Sequence, residues 1–367
     1  MDFEFAPDTL MLRDMLRRFV QKEARPLEMK YFSAGRLDPE ERARLRKAIE
    51  QMGLWGATVP EKYGGAGLDT VTACLLEEEL GGTFLPLELG EVSPLLYQCS
   101  PEQAGRYLEP ALAGERRAIV AAREPGGLRP ETWTTEATQT RDGFVLQGRK
   151  WLAQAAAAND FFIVLARAPD GVSAFLVEAS HPGIRLEASA SPNGQKVLLL
   201  KDCHLGPEAL LGQPGQALNA LAESGPGEWI RTGARYVGMV ERLRAMAAEH
   251  AREWVSLGGP LSVRPAVQRM LAEMSAEVES ARWLVYHAAW LADRDQPVRV
   301  AAAQVRLVTG EMLQRAIDRV TLVYGGPGPS TEVLPHRLAR SAVPTEALEL
   351  ALDYARAVLA AEALERS

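Results

Sequence analysis

The sequence is short of long apolar runs: nowhere in its 367 residues do about 18 apolar positions follow one another, the length that a membrane-crossing helix needs. No membrane span is expected. Cysteine is scarce as well. Cys74, Cys99 and Cys203 are odd in number and far apart, which argues against a disulfide framework or a zinc cage and for reduced thiols in a core. His204 adjoins Cys203, but a lone Cys-His pair does not make a metal site. Basic residues do not cluster. The net charge is −7 with Lys and Arg scattered among acids, so nucleic acid is not an expected partner. The opening MDFEFAPDTL is acidic and lacks the apolar core of a secretory leader, which leads to the expectation of a cytoplasmic location. No G-x-G-x-x-G follows a strand pattern, and β and α patterns do not alternate, so a parallel dinucleotide-binding sheet is disfavoured.

What is present is an ordinary globular composition, 47% hydrophobic, sufficient for a real core. From about Asp8 to Gly114 apolar residues recur at helical spacing, as in Leu10, Leu12, Leu16, Phe19 and Val20. From about Arg117 to Leu211 the pattern changes to short β-rich runs, RAIVAA, TTEATQT, GFVLQG, FFIVLAR, SAFLVEA and KVLLLKDC, separated by Gly, Pro, Asn and Asp. After LLGQPGQAL the helical period returns, with Val267, Met270, Met274, Val278, Ala281 and Val285 as one stripe. The expected fold is α+β, mainly α: an N-terminal helical domain (1–114), a middle antiparallel β domain (115–222) and a C-terminal helical bundle (223–367). The C-terminal helices carry more apolar surface than one layer needs, so self-association is expected.

Five stretches, in order, resemble the acyl-CoA dehydrogenase family: MGLWGATVPEKYGGAGLDTVTACLLEEELG (52–81), AREPGG, DGFVLQGRKWLAQA, LLGQPGQAL and YGGPGPSTEVLPHRLAR. The resemblance covers essentially the whole chain. It implies a three-domain subunit that dimerises and usually forms a tetramer, with FAD between the β domain and the C-terminal bundles. It also implies desaturation of an acyl-CoA substrate, in which a glutamate removes the α proton and a hydride passes to the flavin, and electrons leave through an electron-transferring flavoprotein. By similarity, Arg123 and Glu124 of AREPGG, Trp151 and Gln154 of KWLAQA, and Gly325, Gly326 and Gly328 of YGGPG are the cofactor-binding candidates.

Several positions depart from the family pattern. Arg123 stands where a Thr or Ser usually precedes Glu-Pro, and Gln154 replaces a hydroxyl residue whose bond to the flavin its amide could still supply. The segment REWVSLGGPLSVRPAVQ matches one that usually carries an Arg three residues before a Phe-Gly pair and a Gln seven after it; here these are Trp254 and Pro265. Leu322 replaces a further Gln, and Arg252 is available in a shifted register. Trp254, Pro265 and Leu322 cannot make the charge-assisted bonds that a pyrophosphate favours. Either FAD is bound in a modified way, or this chain is a related, FAD-poor subunit that completes a partner's site.

The base is also open. In PTEALELALD (344–353), Glu346, Glu349 and Asp353 share one helical face. The family's usual base follows the arginine of HRLAR by nine residues, and nine beyond Arg340 is Glu349. Other members place it at the start of an earlier helix, where GEWIRTGARYVG offers Glu228, followed by Trp229 instead of the usual Arg. Three readings stand: Glu349, Glu228, or no catalytic carboxylate, both glutamates being solvated.

Overall fold

The computed structural model describes residues 4–124, 132–152, 159–188, 196–256, 258–325 and 345–365, with the backbone alone at 224 and 345–351. Two compact units are formed, Met1–Leu89 with Pro226–Ser367, and Gly90–Gly225.

In the first, α1 (Pro7–Phe19) starts on a proline at its first helical position, where no amide hydrogen is needed. Short turns lead to α2 (Glu28–Ala34), ended by left-handed Gly35, and to α3 (Pro39–Gln51), whose first turn is capped by Asp38. Helix α4 (Thr70–Leu80) is capped twice: Asp69 accepts from Thr72 N at 2.6 Å, and Asp293 accepts from Thr70 N at 2.6 Å and Val71 N at 3.0 Å. Leu16, Phe19, Val20, Leu45, Ile49, Leu76 and Leu80 close a core between these helices. Buried Glu28 accepts from Thr83 Oγ1 and Phe84 N, which fixes the chain leaving α4.

The second unit holds helix α5 (101–112) and a sheet of eight strands: β1 (Ala118–Ala121), β2 (Glu136–Thr140), β3 (Gly143–Leu152), β4 (Phe161–Ala168), β5 (Gly171–Glu178), β6 (Ile184–Ala188), β7 (Lys196–Leu205) and β8 (Leu210–Leu211). Their order is β6-β7-β3-β2-β4-β5-β8, with β1 beside β4. Most pairs are antiparallel, as expected, but β1 runs parallel to β4, and β2 meets β4 in parallel at Glu136 and Arg167. Residues 161–166 of β4 are buried on both faces; Phe162, Val164 and Ala166 face the sheet core, while the Phe161 ring meets Tyr107 of α5 at 4.9 Å. Opposite Gln147, β7 carries one residue more than β3, and Asp202 takes up the bulge at φ 47°.

Four long helices follow: α6 (Ala217–Glu253), α7 (Pro265–Ala292), α8 (Arg299–Tyr324) and α9 (Thr345–Glu365). The boundary between the units falls inside α6, at Pro226. On α7 the expected stripe Val267, Met274, Val278, Ala281 and Val285 is buried, with Met270 at its margin. Helices α4 and α6 touch backbone to backbone. A Cβ on Gly81 would lie 2.2 Å from the Arg235 carbonyl oxygen, and one on Gly238 would lie 1.9 Å from that of Glu78. Three successive carboxylates of α4 then fasten three helices: Glu77 to Arg235 of α6 (2.6 Å), Glu78 to Arg282 and Tyr286 of α7 (2.9 Å each), and Glu79 to Arg17 of α1 (3.0 Å). Burial pushes the Glu78 carboxyl up, and Arg282 and Tyr286 oppose that rise by holding the anion.

No alanine methyl fits at Gly238 without moving a helix, so Gly238→Ala is expected to cost about 1 to 3 kcal/mol in urea denaturation. Gly105→Ala, whose Cβ would meet nothing within 4 Å, is expected to be neutral or stabilising by up to about 1 kcal/mol.

Candidate functional site

The end of β1 and the middle of β3 build the candidate residues of the second unit. Trp151 N donates to Arg123 O at 2.8 Å, so the two candidates face each other as an isolated antiparallel bridge, both half-buried. The next residue, Glu124, turns inward and is almost wholly buried. Its carboxylate accepts from Thr134 N (2.6 Å), Thr134 Oγ1 (2.9 Å), Thr135 N (3.1 Å) and Lys150 Nζ (2.7 Å). Lys150 is fully buried and lies 3.9 Å from the centre of the Trp133 ring. Gly148 is required beside this group: at φ 143°, a Cβ there would sit 2.5 Å from Thr135 Cα. Burial alone would raise the Glu124 carboxyl, but the Lys150 ammonium and the two threonines together hold it below the ordinary range. Burial lowers the Lys150 ammonium, and Glu124 limits that fall. The pair is therefore ionised and anchored, and it fixes the backbone that presents Arg123 and Trp151.

Lys150 was not singled out from sequence, yet a signal existed. Leu146, Gly148, Lys150 and Leu152 share one face of β3, and Leu146, Lys150 and Leu152 are all buried. A lysine on the inward phase of a strand calls for a buried acid.

In the first unit, Glu228 is exposed near the start of α6, immediately before Trp229. The Trp229 ring packs among Ala303, Leu307, Ala355, Val358 and Leu359 and meets Tyr354 edge-on at 5.5 Å. Position 349 lies five residues before Tyr354 on α9, about 7.5 Å along the axis. The segments carrying the two candidate bases thus meet at one place. Further along α9, Asp353 is exposed and accepts from Arg356, which also donates to Glu311 of α8 at 2.8 Å.

At the far end of α6, Trp254 stacks on His250 (5.5 Å, 23°), and His250 stacks on Tyr324 (4.1 Å, 10°). Trp254 is 51% exposed and Leu322 68% exposed; Pro265 opens α7, also exposed, and Arg252 is exposed without an ion pair among the described residues. Gly325 has φ 66°, and a Cβ there would meet nothing within 4 Å. Gln154, Gly326 and Gly328 lie outside the described residues, as does the side chain of Glu349.

The Cys203 thiol meets a histidine other than its sequence neighbour. His181 Nδ1 lies 3.4 Å from Sγ and accepts from Gly183 N at 3.0 Å, so the ring proton is on Nε2, which donates to His204 O at 3.0 Å. Burial pushes the thiol up to about 11, which leaves it without thiolate at neutral pH. No metal-binding cluster occurs among the described residues.

The arrangement of helices, sheet and helices corresponds to known domain families along nearly the whole chain. The acyl-CoA dehydrogenase N-terminal, middle and C-terminal domain models match residues 6–115, 119–204 and 227–364. The chain belongs to the acyl-CoA dehydrogenase family. It is 30% identical to the probable acyl-CoA dehydrogenase YngJ of Bacillus subtilis over 385 residues, covering all of both chains. Among solved structures it is similar to a chain described under the electron transferring flavoprotein of Acidaminococcus fermentans (28% identity, TM-score 0.85, both chains fully covered). It also shares its fold with the FAD complex of PigA (23% identity, TM-score 0.88, both fully covered). Family membership supports FAD as the cofactor, and no helix among the described residues is long and apolar enough to cross a membrane.

Lys150→Met leaves the Glu124 charge buried without its ammonium and is expected to cost about 3 to 5 kcal/mol in denaturant unfolding, with Glu124→Gln/Lys150→Met recovering part of it. Because the folded Glu124 pKa is depressed, its contribution is present above the ordinary value of 4.5 and fades as pH falls below it. Glu124→Gln should therefore flatten the acid limb of the stability–pH curve.

Proposed function

We propose that the chain is an FAD-dependent acyl-CoA dehydrogenase, removing the α proton of an acyl-CoA thioester with one of two glutamates, Glu349 or Glu228. The observation that carries this reading is the Trp229–Tyr354 contact, which brings the start of α6 and the body of α9 to one place in the helical unit. Each candidate base belongs to one of those two segments. FAD, when bound, supplies the acceptor for the β hydride. The protein's own part is to hold a carboxylate at the α carbon and to hydrogen-bond the thioester carbonyl, without which the α proton is too weakly acidic to leave.

The residues present fit FAD through a changed set of contacts. The Arg123–Trp151 bridge is braced by the buried Glu124–Lys150 pair, Gly325 leaves open space beside the backbone, and Arg252 offers an unengaged guanidinium. Electrons then pass to an electron-transferring flavoprotein. A second reading, an FAD-poor subunit of a mixed oligomer, is favoured by the exposed and uncharged Leu322 and Pro265 at places where the resemblance calls for polar contacts.

The purified chain is expected to show a stoichiometric flavin spectrum that is bleached anaerobically by one class of acyl-CoA thioester. Of Glu349→Gln and Glu228→Gln, the variant that removes the base should slow bleaching by about 10²- to 10⁴-fold with the flavin spectrum intact. A colourless protein in excess FAD would support the second reading. A yellow one that no thioester bleaches would overturn the dehydrogenase assignment.

A further inference from the structure

The seven tryptophans differ in how their ring faces are covered. Trp55 lies beneath the Arg46 guanidinium at 4.4 Å, and Trp133 faces the Lys150 ammonium. Trp229 packs edge-on against Tyr354, and Trp290 has Arg294 at 4.1 Å and the stacked His287 ring at 6.4 Å. Trp254 is unlike these. One of its faces lies on His250, it is half exposed, and no second ring or cation among the described residues is stacked on it.

The indole is also held in place. Trp254 N donates to His250 O at 2.9 Å and Trp254 O accepts from Leu261 N at 2.9 Å, so the residue is bonded on both sides of its backbone. Beneath it, the His250 ring is sandwiched by Tyr324, and burial keeps the imidazole below its ordinary pKa. A neutral, nearly parallel three-ring ladder therefore ends in an open indole face. Glu253, which acts on both His250 and Tyr324, and Glu249, which acts on Tyr324, disfavour a phosphate against the ladder itself. A planar uncharged ring suits the face better than an anion. The exposed Arg252 is close in sequence for a phosphate beyond the ring, and the open space at Gly325 adjoins Tyr324.

We propose that Trp254 is the stacking platform for the adenine ring of FAD, supplying by ring contact what Trp254 and Leu322 cannot supply by charge. This rests on the FAD-dependent reading above. Adenine, rather than the reacting ring, is assigned because Trp254 follows Glu228 by 26 residues along α6, about 39 Å of helix. A flavin ring at Trp254 could not serve a substrate whose proton passes to Glu228.

The test is equilibrium binding of FAD and of FMN, which lacks the adenine, to the full chain and to Trp254→Ala and Trp254→Phe, followed by competition with AMP. Trp254→Ala should weaken FAD roughly 5- to 150-fold, the range for loss of one stacked base, and leave FMN unchanged. Trp254→Phe should keep most of the affinity, and AMP should displace FAD from the wild-type chain. Thermal midpoints should not move, since the ring is half in solvent. FAD binding by Trp254→Ala equal to wild type would overturn the platform and leave the flavoprotein reading standing, as would a change in self-association with no change in FAD affinity. A wild-type chain that binds no FAD would overturn both.

Discussion

Gly81 and Gly238 meet where any larger pair of residues would hold two helices apart, and the helical unit is arranged around that contact. With α4 and α6 at backbone distance, the residues within a turn of the crossing are forced into pairs, which is why Glu77 finds Arg235. Its neighbours on α4 point to other helices because successive helical positions turn by about 100°. Glu78 therefore reaches α7, and Glu79 reaches α1. These pairs are partly buried, so losing one member leaves a charge without solvent, a larger penalty than at a surface pair. The same crossing places α6, which carries Glu228 near its start and Trp254 just past its end.

The sheet unit uses a comparable device with opposite materials. Glu124 is a carboxylate inside a β core, acceptable only because four donors meet it and one of them, Lys150, cancels its charge. Gly148 is the condition for that meeting, since a side chain there would push away the Thr135 backbone. The exposed edge of the device is the Arg123–Trp151 bridge. A site that must hold a planar cofactor needs such bracing, because affinity falls when the supporting backbone is free to move.

How much of this was legible follows from range. The α7 stripe and the strands β1 to β5 and β7 could be read from period alone, because a period is local. Strand β6 was missed, since IRLEA mixes charges into its alternation, and β8 has only two residues. The parallel β1–β4 pairing was invisible because it joins residues more than forty apart. His204 was considered beside Cys203, but neighbours on a strand point to opposite faces, and the ring that reaches the thiol comes from His181 on another segment. Glu124 was chosen by resemblance as a cofactor contact; its buried partner Lys150 and the four donors around it needed coordinates. Glu349 kept its register on α9, and Glu228 is exposed as the solvated alternative required, so the choice between them was not narrowed by fold.

The two departures at the ends of α6 are of one kind. At 229 and at 254 the resemblance calls for arginine, and at both this chain has tryptophan. Neither ring is isolated. Trp229 meets Tyr354 edge-on, and Trp254 caps the ladder on His250 and Tyr324. An arginine changed by drift would leave its former carboxylate or phosphate partner facing an arbitrary residue. Two changes to the same large aromatic, each with an aromatic neighbour placed to receive it, are better explained as exchange of one recognition chemistry for another. At 229 the exchange is internal, since the ring joins α6 to α8 and α9 and so sets the position of both candidate bases. At 254 the outer ring face stays open, so the exchange there is completed only by something outside the helical unit's own residues.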